Sequence, residues 1–564
     1  MNESTNKIFD AIVVGTGAAG GWASKRLSEA GMKVALIDIG RPLAESEFCE
    51  HKPRFELPYR NQAKDFVRRN RPIQSHSGAC DEYTYSWFAN DLEEPYTTSP
   101  GKAFNWLGRL RVTGGRTNVW GRVSLRLSDL DFKAASFDGY GEDWPLSYKE
   151  VAHYYDLVES YVGVAGRAEG LEHLPDGRFQ PDMGLTCAEA RFREGVKQKL
   201  GWTVTPTRTA NLTRPLNGRA ACHYCGPCHR GCITHSYFNS AFTTVRDALA
   251  SGNCTHFTNA MGYQVLMDME RNRARGVLYI DRVTREAKEV RGRVVVLAAQ
   301  ALESVRILLN SANRQYSNGL ANSSGVLGHY LMDHVYVGGG AVGTFPDLPG
   351  QLNINGPHRP CGIYVARFRN LPRGPRSKKF LRGYGYEGEG ETNFNWRAPG
   401  FGEAFKKAVL DPVTTVGIGG FGECLARWEN FVEIDRNTAD AYGVPVLRFH
   451  MTYGENEIAI MYDMQEAAGE MMEAAGAKNI HTFVFPHRPP GHAIHELGVA
   501  RMGNDPKKSV LNQFQQSHDI KNLFVTDGAG FTSSACQNPT LTIMTLCVRS
   551  CDYLLEQMKR GNIG

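Results

Sequence analysis

The apolar positions of the chain change period along its length, and those changes predict its elements. Near the start, a β-branched run at 11–14 leads into Gly15-x-Gly17-x-x-Gly20. A helical stretch at 18–30 follows, stopped by Gly31, and then a second apolar run, KVALID, closing on Asp38. This pattern predicts strand, helix, strand, with the helix opening on a glycine turn. After DWPLSY, a helix is predicted with Ser147 and Glu150 as a capping box and Val151, Tyr154, Tyr155 and Val158 as its buried stripe. The run at 294–298 reads as a buried strand before a helix. LFV at 523–525 reads as another strand, before a loop and a C-terminal helix starting near Thr540. Nucleotide-type β and α elements therefore recur far from the N-terminus, so one domain is assembled from separated segments.

Between about 335 and 490 the period shifts to alternation, as in VYVGGGAVGTF, GIYVARF and VPVLRFHMTY, with many glycines and prolines. This predicts a mostly antiparallel sheet covered by helices. The stretch 371–390, LPRGPRSKKFLRGYGYEGEG, reads as a loop over the site, a subunit contact or plain solvated surface. The fold class expected is α/β: a Rossmann-like domain over 1–334 with inserted segments, an α+β substrate domain over 335–490, and a return to the first domain over 491–564.

At 564 residues the chain is too long for one simple core. The net charge of +5 is small for this size, and no basic run interleaved with aromatics appears, which argues against a nucleic-acid partner. No apolar run reaches the ~20 residues of a membrane span. The N-terminus lacks a basic start followed by an uninterrupted apolar core, so the chain alone reads as cytoplasmic. Thirteen cysteines, mostly scattered, argue against a secreted disulfide scaffold.

The glycine turn carries specific chemistry. Gly15 permits the tight turn, Gly17 lets backbone approach a pyrophosphate, and Gly20 lets helix and strand pack closely. The helix N-terminus offers unpaired N–H groups to the phosphates. Asp38, eighteen residues past Gly20, is placed to accept hydrogen bonds from ribose hydroxyls, and an acid there disfavours a 2′-phosphate. A second glycine pair, Gly114 and Gly115, lies in VTGGRTNVWGR. The tail carries HAIHELGVARMGNDP, NLFVTDGAGF and QNPTLTIMTLC.

In that order, with LGHYLMDH at 327–334, these motifs resemble the glucose–methanol–choline (GMC) family of FAD oxidoreductases over nearly the full length. Within it, the chain is most similar to the catalytic subunits of bacterial glucoside 3-dehydrogenases and other sugar dehydrogenases. The resemblance implies the p-hydroxybenzoate hydroxylase-like architecture. It also implies FAD over Gly15, Gly17, Gly20 and Asp38, with Gly114, Gly115, Asn118 and Trp120 along the flavin and Asp527, Gly528 and Thr540 closing over it. Pyranose oxidase has a flavin-linked histidine in this loop. Val119 stands at the matching position, so the FAD is expected to be non-covalent.

Oxidising an alcohol requires a hydride acceptor and a base for the hydroxyl proton, and histidine suits the second role near neutral pH. His487, His492 and His495 cluster in one stretch. The family's H-x-x-G-x-x-R-M-G block begins at His495, which the resemblance implies is the base. Its partner, just before P-T-L-T, is Asn538, which can hold the substrate oxygen. His487 and His492 read as structural. Pro489, Pro490 and Gly491 break the helix that a metal site on the three histidines would need.

Cys222, Cys225, Cys228 and Cys232 fall within eleven residues, spaced C-x2-C-x2-C-x3-C. Two disulfides would strain the bridge geometry. Structural zinc usually draws on two knuckles separated by a longer loop. Buried structural thiols rarely come so densely. Bacterial ferredoxins share the spacing, followed there by Pro where this chain has Ile233. An iron–sulfur cluster is therefore favoured, with zinc retained as the alternative. So short a loop favours [3Fe–4S] over [4Fe–4S], as the resemblance also implies, with no indication of which thiol is spare. A one-electron relay argues for a dehydrogenase rather than an oxidase. Related catalytic subunits lack a signal and are exported with a small subunit, passing electrons to a cytochrome c-type acceptor. The resemblance thus implies the periplasm, against the cytoplasm implied by the N-terminus. The expected substrate is a sugar or glycoside oxidised at a secondary ring hydroxyl, C3 being favoured.

Overall fold

A computed structural model describes residues 7–348, 358–395 and 398–563. Residues 1–6, part of the N-terminus read above for an export signal, lie outside the described residues.

The N-terminal run becomes the strand Ile8–Val14, the helix Ala18–Glu29 and the strand Val34–Ile37. The first strand is hydrogen-bonded in parallel to Val34–Ile37 on one side and to Ala287–Leu297 on the other. Its last four residues are buried, as are all of Val34–Ile37. This explains why these segments read as continuous apolar runs rather than alternating ones. The eleven-residue strand Ala287–Leu297 serves two further neighbours. Its start pairs antiparallel with Arg273–Asp281, and its end pairs in parallel with Leu523–Val525. The seven-stranded sheet is thus closed by a strand from the far end of the chain. The predicted C-terminal helix is Thr540–Lys559, and it packs on Ala18–Glu29.

The predicted capping box at Ser147 forms, with the Ser147 N–H donating to Glu150 Oε2 over 2.8 Å, at the head of the helix Tyr148–Val162. Val151, Tyr155 and Val158 are buried in it, while Tyr154 is only partly covered.

The second sheet has six strands, all paired antiparallel, in the order Lys478–Val484, Val335–Thr344, Pro412–Gly422, Tyr384–Phe394, Ile363–Val365 and Val204–Pro206. Its glycines have a packing reason. The helix Glu455–Ala474 lies so close that a Cβ on Gly339 would come within 2.3 Å of the Met461 carbonyl oxygen. Two expectations are corrected. Residues 384–390, read as the end of a surface loop, begin the long strand Tyr384–Phe394 in the middle of the sheet. VPVLRFHMTY supplies Pro445–His450, which joins a separate three-stranded sheet with Phe431–Ala439 and Thr97–Thr98. No helix among the described residues is long and apolar enough to cross a membrane.

Candidate functional site

One cavity, about 1420 Å³ counting the space open to solvent, is lined by both the N-terminal glycine turn and the His495 segment. Gly15, Gly17, Asp38, His495, Asp527, Gly528 and Thr540 all line it. The glycines divide the labour as their positions require. Gly15 has φ +105°, and a Cβ there would meet the Ala298 carbonyl oxygen at 2.3 Å; a Cβ on Gly20 would meet the Gly15 carbonyl oxygen at 1.9 Å. A Cβ on Gly17 would meet nothing within 4 Å, since it projects into the cavity. Gly17 therefore marks the wall that a bound group approaches.

Asp38 is buried, which pushes its carboxyl above the usual range, and two donors oppose that shift: the Thr16 hydroxyl and the Gly40 N–H at 3.0 Å. Thr16 also accepts from the Gly114 N–H at 2.8 Å, joining the two glycine turns. Gly115 and Trp120 line the cavity. Gly114 and Asn118 do not. Asn118 spends its amide on the turn, donating to the Thr113 and Gly115 carbonyls at 3.0 and 2.8 Å and accepting from Asn239 at 2.7 Å. Asp527 is fixed by Ser304 at 2.5 Å and the Ala529 N–H at 3.0 Å; burial pushes its carboxyl up to about 6. Gln300, also on the wall, has a buried Nε2 with no partner among the described residues.

His495 is half-buried, and its Nδ1 lies 3.2 Å from His334 Nδ1. Burial, the facing imidazole and Arg116 hold the His495 pKa well below its usual value. Burial likewise brings His334 down to about 4. Two facing nitrogens can share only one hydrogen, so one Nδ1 is protonated and the other accepts. Asp333 sets the loop. Its carboxylate accepts from the N–H groups of Gly491, Ala493 and His495 at 2.8, 3.2 and 2.9 Å. Arg116 ties the GGRTNVW turn to the same segment, bonding Glu496 at 2.8 Å and the Ile494 carbonyl at 3.0 Å. The one sequence signal for Asp333 and His334 is the LGHYLMDH block that they close.

Asn538 sits between the two cavities. The adjacent Pro539 and Thr540 line the first, and its amide faces Glu387, which lines a second cavity against the six-stranded sheet. His492 bonds Asn105 at 2.9 Å, and His487 is exposed.

The cysteine loop bears four unbridged thiols, Cys228 and Cys232 buried and Cys222 and Cys225 half-buried. Cys222 Sγ accepts from the Tyr224 N–H at 3.4 Å, and Cys232 Sγ lies 3.3 Å from Thr234 Oγ1. Gly226 and Gly231 have φ +101° and +108°, which bends the loop around the thiols. Burial raises the pKa of Cys222, Cys225 and Cys228, and each is raised further by neighbouring thiols. Tyr237 packs on Cys228 and Cys232 and donates to the Asn118 carbonyl at 2.8 Å, so the loop abuts the turn beside the first cavity.

This pairing of a glycine turn and a half-buried histidine by one cavity matches a known family. The GMC oxidoreductase profiles match residues 9–336 and 426–547. The chain belongs to the GMC oxidoreductases. Among its relatives, 2-methyl-1,2-propanediol dehydrogenase of Mycolicibacterium austroafricanum is 28% identical, over 97% of this chain and 95% of that one. Fructose dehydrogenase large subunit of Gluconobacter japonicus is 26% identical, over 98% of each. The structure of pyridoxine 4-oxidase from Mesorbium loti superposes with a TM-score of 0.61 at 16% identity, covering 97% of this chain and 99% of that one, and shows the shared fold. This GMC protein is thus a flavoprotein oxidoreductase acting on alcohol or sugar CH–OH groups. Membership implies FAD, and the residues present fit it: an open wall at Gly17, a Gln300 Nε2 without a partner among the described residues, and the N-terminus of the helix Thr540–Lys559 facing the same cavity.

Proposed function

We propose that this GMC protein is a dehydrogenase that oxidises a secondary ring hydroxyl of a sugar or glycoside, with C3 the favoured position. The observation that carries the reading is the His495–His334 pair, with His495 lining the same cavity as Asp38. When bound along that cavity without a covalent link, FAD supplies the hydride acceptor. His495 takes the hydroxyl proton. If His495 Nδ1–H donates to His334, Nε2 is left with its lone pair, the tautomer a base needs. Its depressed pKa keeps the ring neutral at physiological pH. Asn538 holds the substrate oxygen as charge develops. Gly15, Gly17, Asp38, Gly115 and Trp120 bind and orient the cofactor, and Asp527 and Gly528 close its other end.

The four thiols of 222–232 fit an iron–sulfur cluster, [3Fe–4S] favoured over [4Fe–4S], which supplies one-electron transfer to a cytochrome c-type acceptor. The unbridged thiols and their contact through Tyr237 with Asn118 support this. A small partner subunit and co-export to the periplasm complete the reading. One observation favours a second reading, an oxidase whose cysteine loop holds zinc. Ligand atoms of His51, His223 and Cys225 lie within 4.8 Å of one another, a donor set that suits that ion.

Anaerobic incubation with a panel of glycosides and an artificial acceptor, followed by product analysis, tests the chemistry. A 3-keto-glycoside is expected; peroxide formation in air with a flavin-only spectrum would discard the dehydrogenase. Iron and zinc analysis of the purified protein separates the two loops.

A further inference from the structure

The cavity against the six-stranded sheet holds an acid that, among the described residues, is met by Asn538 and by no cation. Glu387 projects from the strand Tyr384–Phe394, where one cross-strand neighbour, Gly419, has no side chain to cover it. Among the described residues its Oε1 is buried without a hydrogen-bond partner, and so is Oδ1 of Asn538. The two side chains lie together. Burial pushes the Glu387 carboxyl up to about 7, and the Asn538 amide offsets part of that effect. No basic side chain among the described residues contributes to its electrostatics. An unpaired buried acceptor costs about 1–3 kcal/mol, and an unpaired buried carboxylate costs more. A structural role would supply a partner; here two neighbouring acceptors are left for something that carries O–H groups. One wall residue of this cavity also packs near His495. Phe421, on its wall, has its ring 6.2 Å from that of His495.

We propose that Glu387, braced by Asn538, binds the hydroxyl on the carbon next to the one that is oxidised. The substrate class is then a vicinal diol, sugars and glycosides included, rather than an isolated alcohol. The assignment rests on the reading of His495 and Asn538 above and extends it to specificity. With the reacting hydroxyl at His495 and Asn538, a neighbouring O–H reaches Glu387, and a ligand without that group leaves the acid orphaned. Glu387 is a specificity-determining residue: it touches the substrate away from the reacting carbon.

The test is anaerobic stopped-flow flavin reduction by a methyl glycoside and its monodeoxy analogues, in the FAD-loaded wild type and in Glu387→Gln and Glu387→Asp. In the wild type, the deoxy analogue lacking the hydroxyl next to the attacked carbon should be poorer by about tenfold or more in kcat/KM. In Glu387→Gln, KM for the parent sugar should rise about tenfold with kcat nearly unchanged, and the parent-to-deoxy ratio should fall towards one. Glu387→Asp should keep part of the discrimination, and it serves as the variant should the Gln form lose its flavin absorbance. An unchanged ratio in a folded variant would overturn the proposal. So would a fall in kcat shared equally by parent and analogue, which would place Glu387 in the positioning of His495. If no glycoside reduces the wild-type flavin, the sugar reading fails by itself. The same ratio is then measured with 1,2-cyclohexanediol against cyclohexanol, and Glu387 stands or falls on that pair.

Discussion

The Tyr237 hydroxyl donates to the backbone carbonyl of Asn118 over 2.8 Å, so one side chain spans the turn beside the cofactor cavity and the cysteine loop. Its ring packs on Cys228 and Cys232 and is almost wholly buried. Tyr237→Phe keeps the packing and removes the bond, leaving the Asn118 carbonyl without it. Stability should fall by about 1–2 kcal/mol in the denaturant midpoint. An unaltered midpoint would show that the contact is incidental.

Gly15 and Gly17 should separate folding from cofactor binding. Gly15→Ala places a Cβ 2.3 Å from a backbone oxygen at a φ that disfavours side chains, so the variant should be poorly folded by circular dichroism. Gly17→Ala meets nothing in the protein. It should fold normally and lose FAD affinity by tenfold or more, read by titration of the apoprotein. Equal loss of structure in both would contradict the assignment of Gly17 to the cofactor wall.

His495→Ala should bind FAD and lose flavin reduction by substrate by about 10²–10⁴-fold, the usual contribution of a positioned base. Retained reduction would remove His495 from the chemistry.

Asp333→Asn should act through the loop it holds. An amide presents one acceptor oxygen where the carboxylate serves three N–H groups from two. Loss of order at His495 should lower kcat by tenfold or more with KM little changed, since no contact with substrate is removed. A change in KM alone would count against this.

The pH dependence follows from the same cluster. His334 stands at about 4 in the fold against 6.5 when unfolded, so the folded state takes up protons less readily. Its contribution to stability is complete above 6.5 and is lost as the pH falls from 6.5 towards 4, on the order of 3 kcal/mol in full. Burial, with Glu496 nearby, raises Asp333 to about 7, and this works in the opposite direction: stability is lost as the pH rises from 3.8 through 7. His334→Gln should therefore flatten the decline in Tm between pH 6.5 and 4. An unchanged acid limb would mean that other groups govern it.

Much of the first domain was legible in the chain because its signals are local. A glycine turn between two apolar runs has few folded solutions, and Asp38 follows at a spacing fixed by one helix and one strand. Ser147 and Glu150 cap a helix through contacts three residues apart. The expected surface loop at 384–390 failed for the opposite reason. GYGYEGEG is polar and glycine-rich, yet it runs through the middle of a sheet whose partners lie tens of residues away. Those glycines let neighbouring strands and a helix approach, a need invisible to local period.

The chain by itself determined the cofactor turn, the separated strands of one nucleotide sheet, and the family block that opens at His495, because each is written in spacing or in contiguous motif. Only the tertiary structure decided what surrounds them. His334 meets His495 from 161 residues away, Tyr237 reaches Asn118 from 119 away, and Glu387 comes to face Asn538 from another sheet. Such contacts arise when separate sheets close on one cavity. Burial then shifts the ionisation of His495, His334 and Glu387, and no residue spacing records how much water a fold excludes.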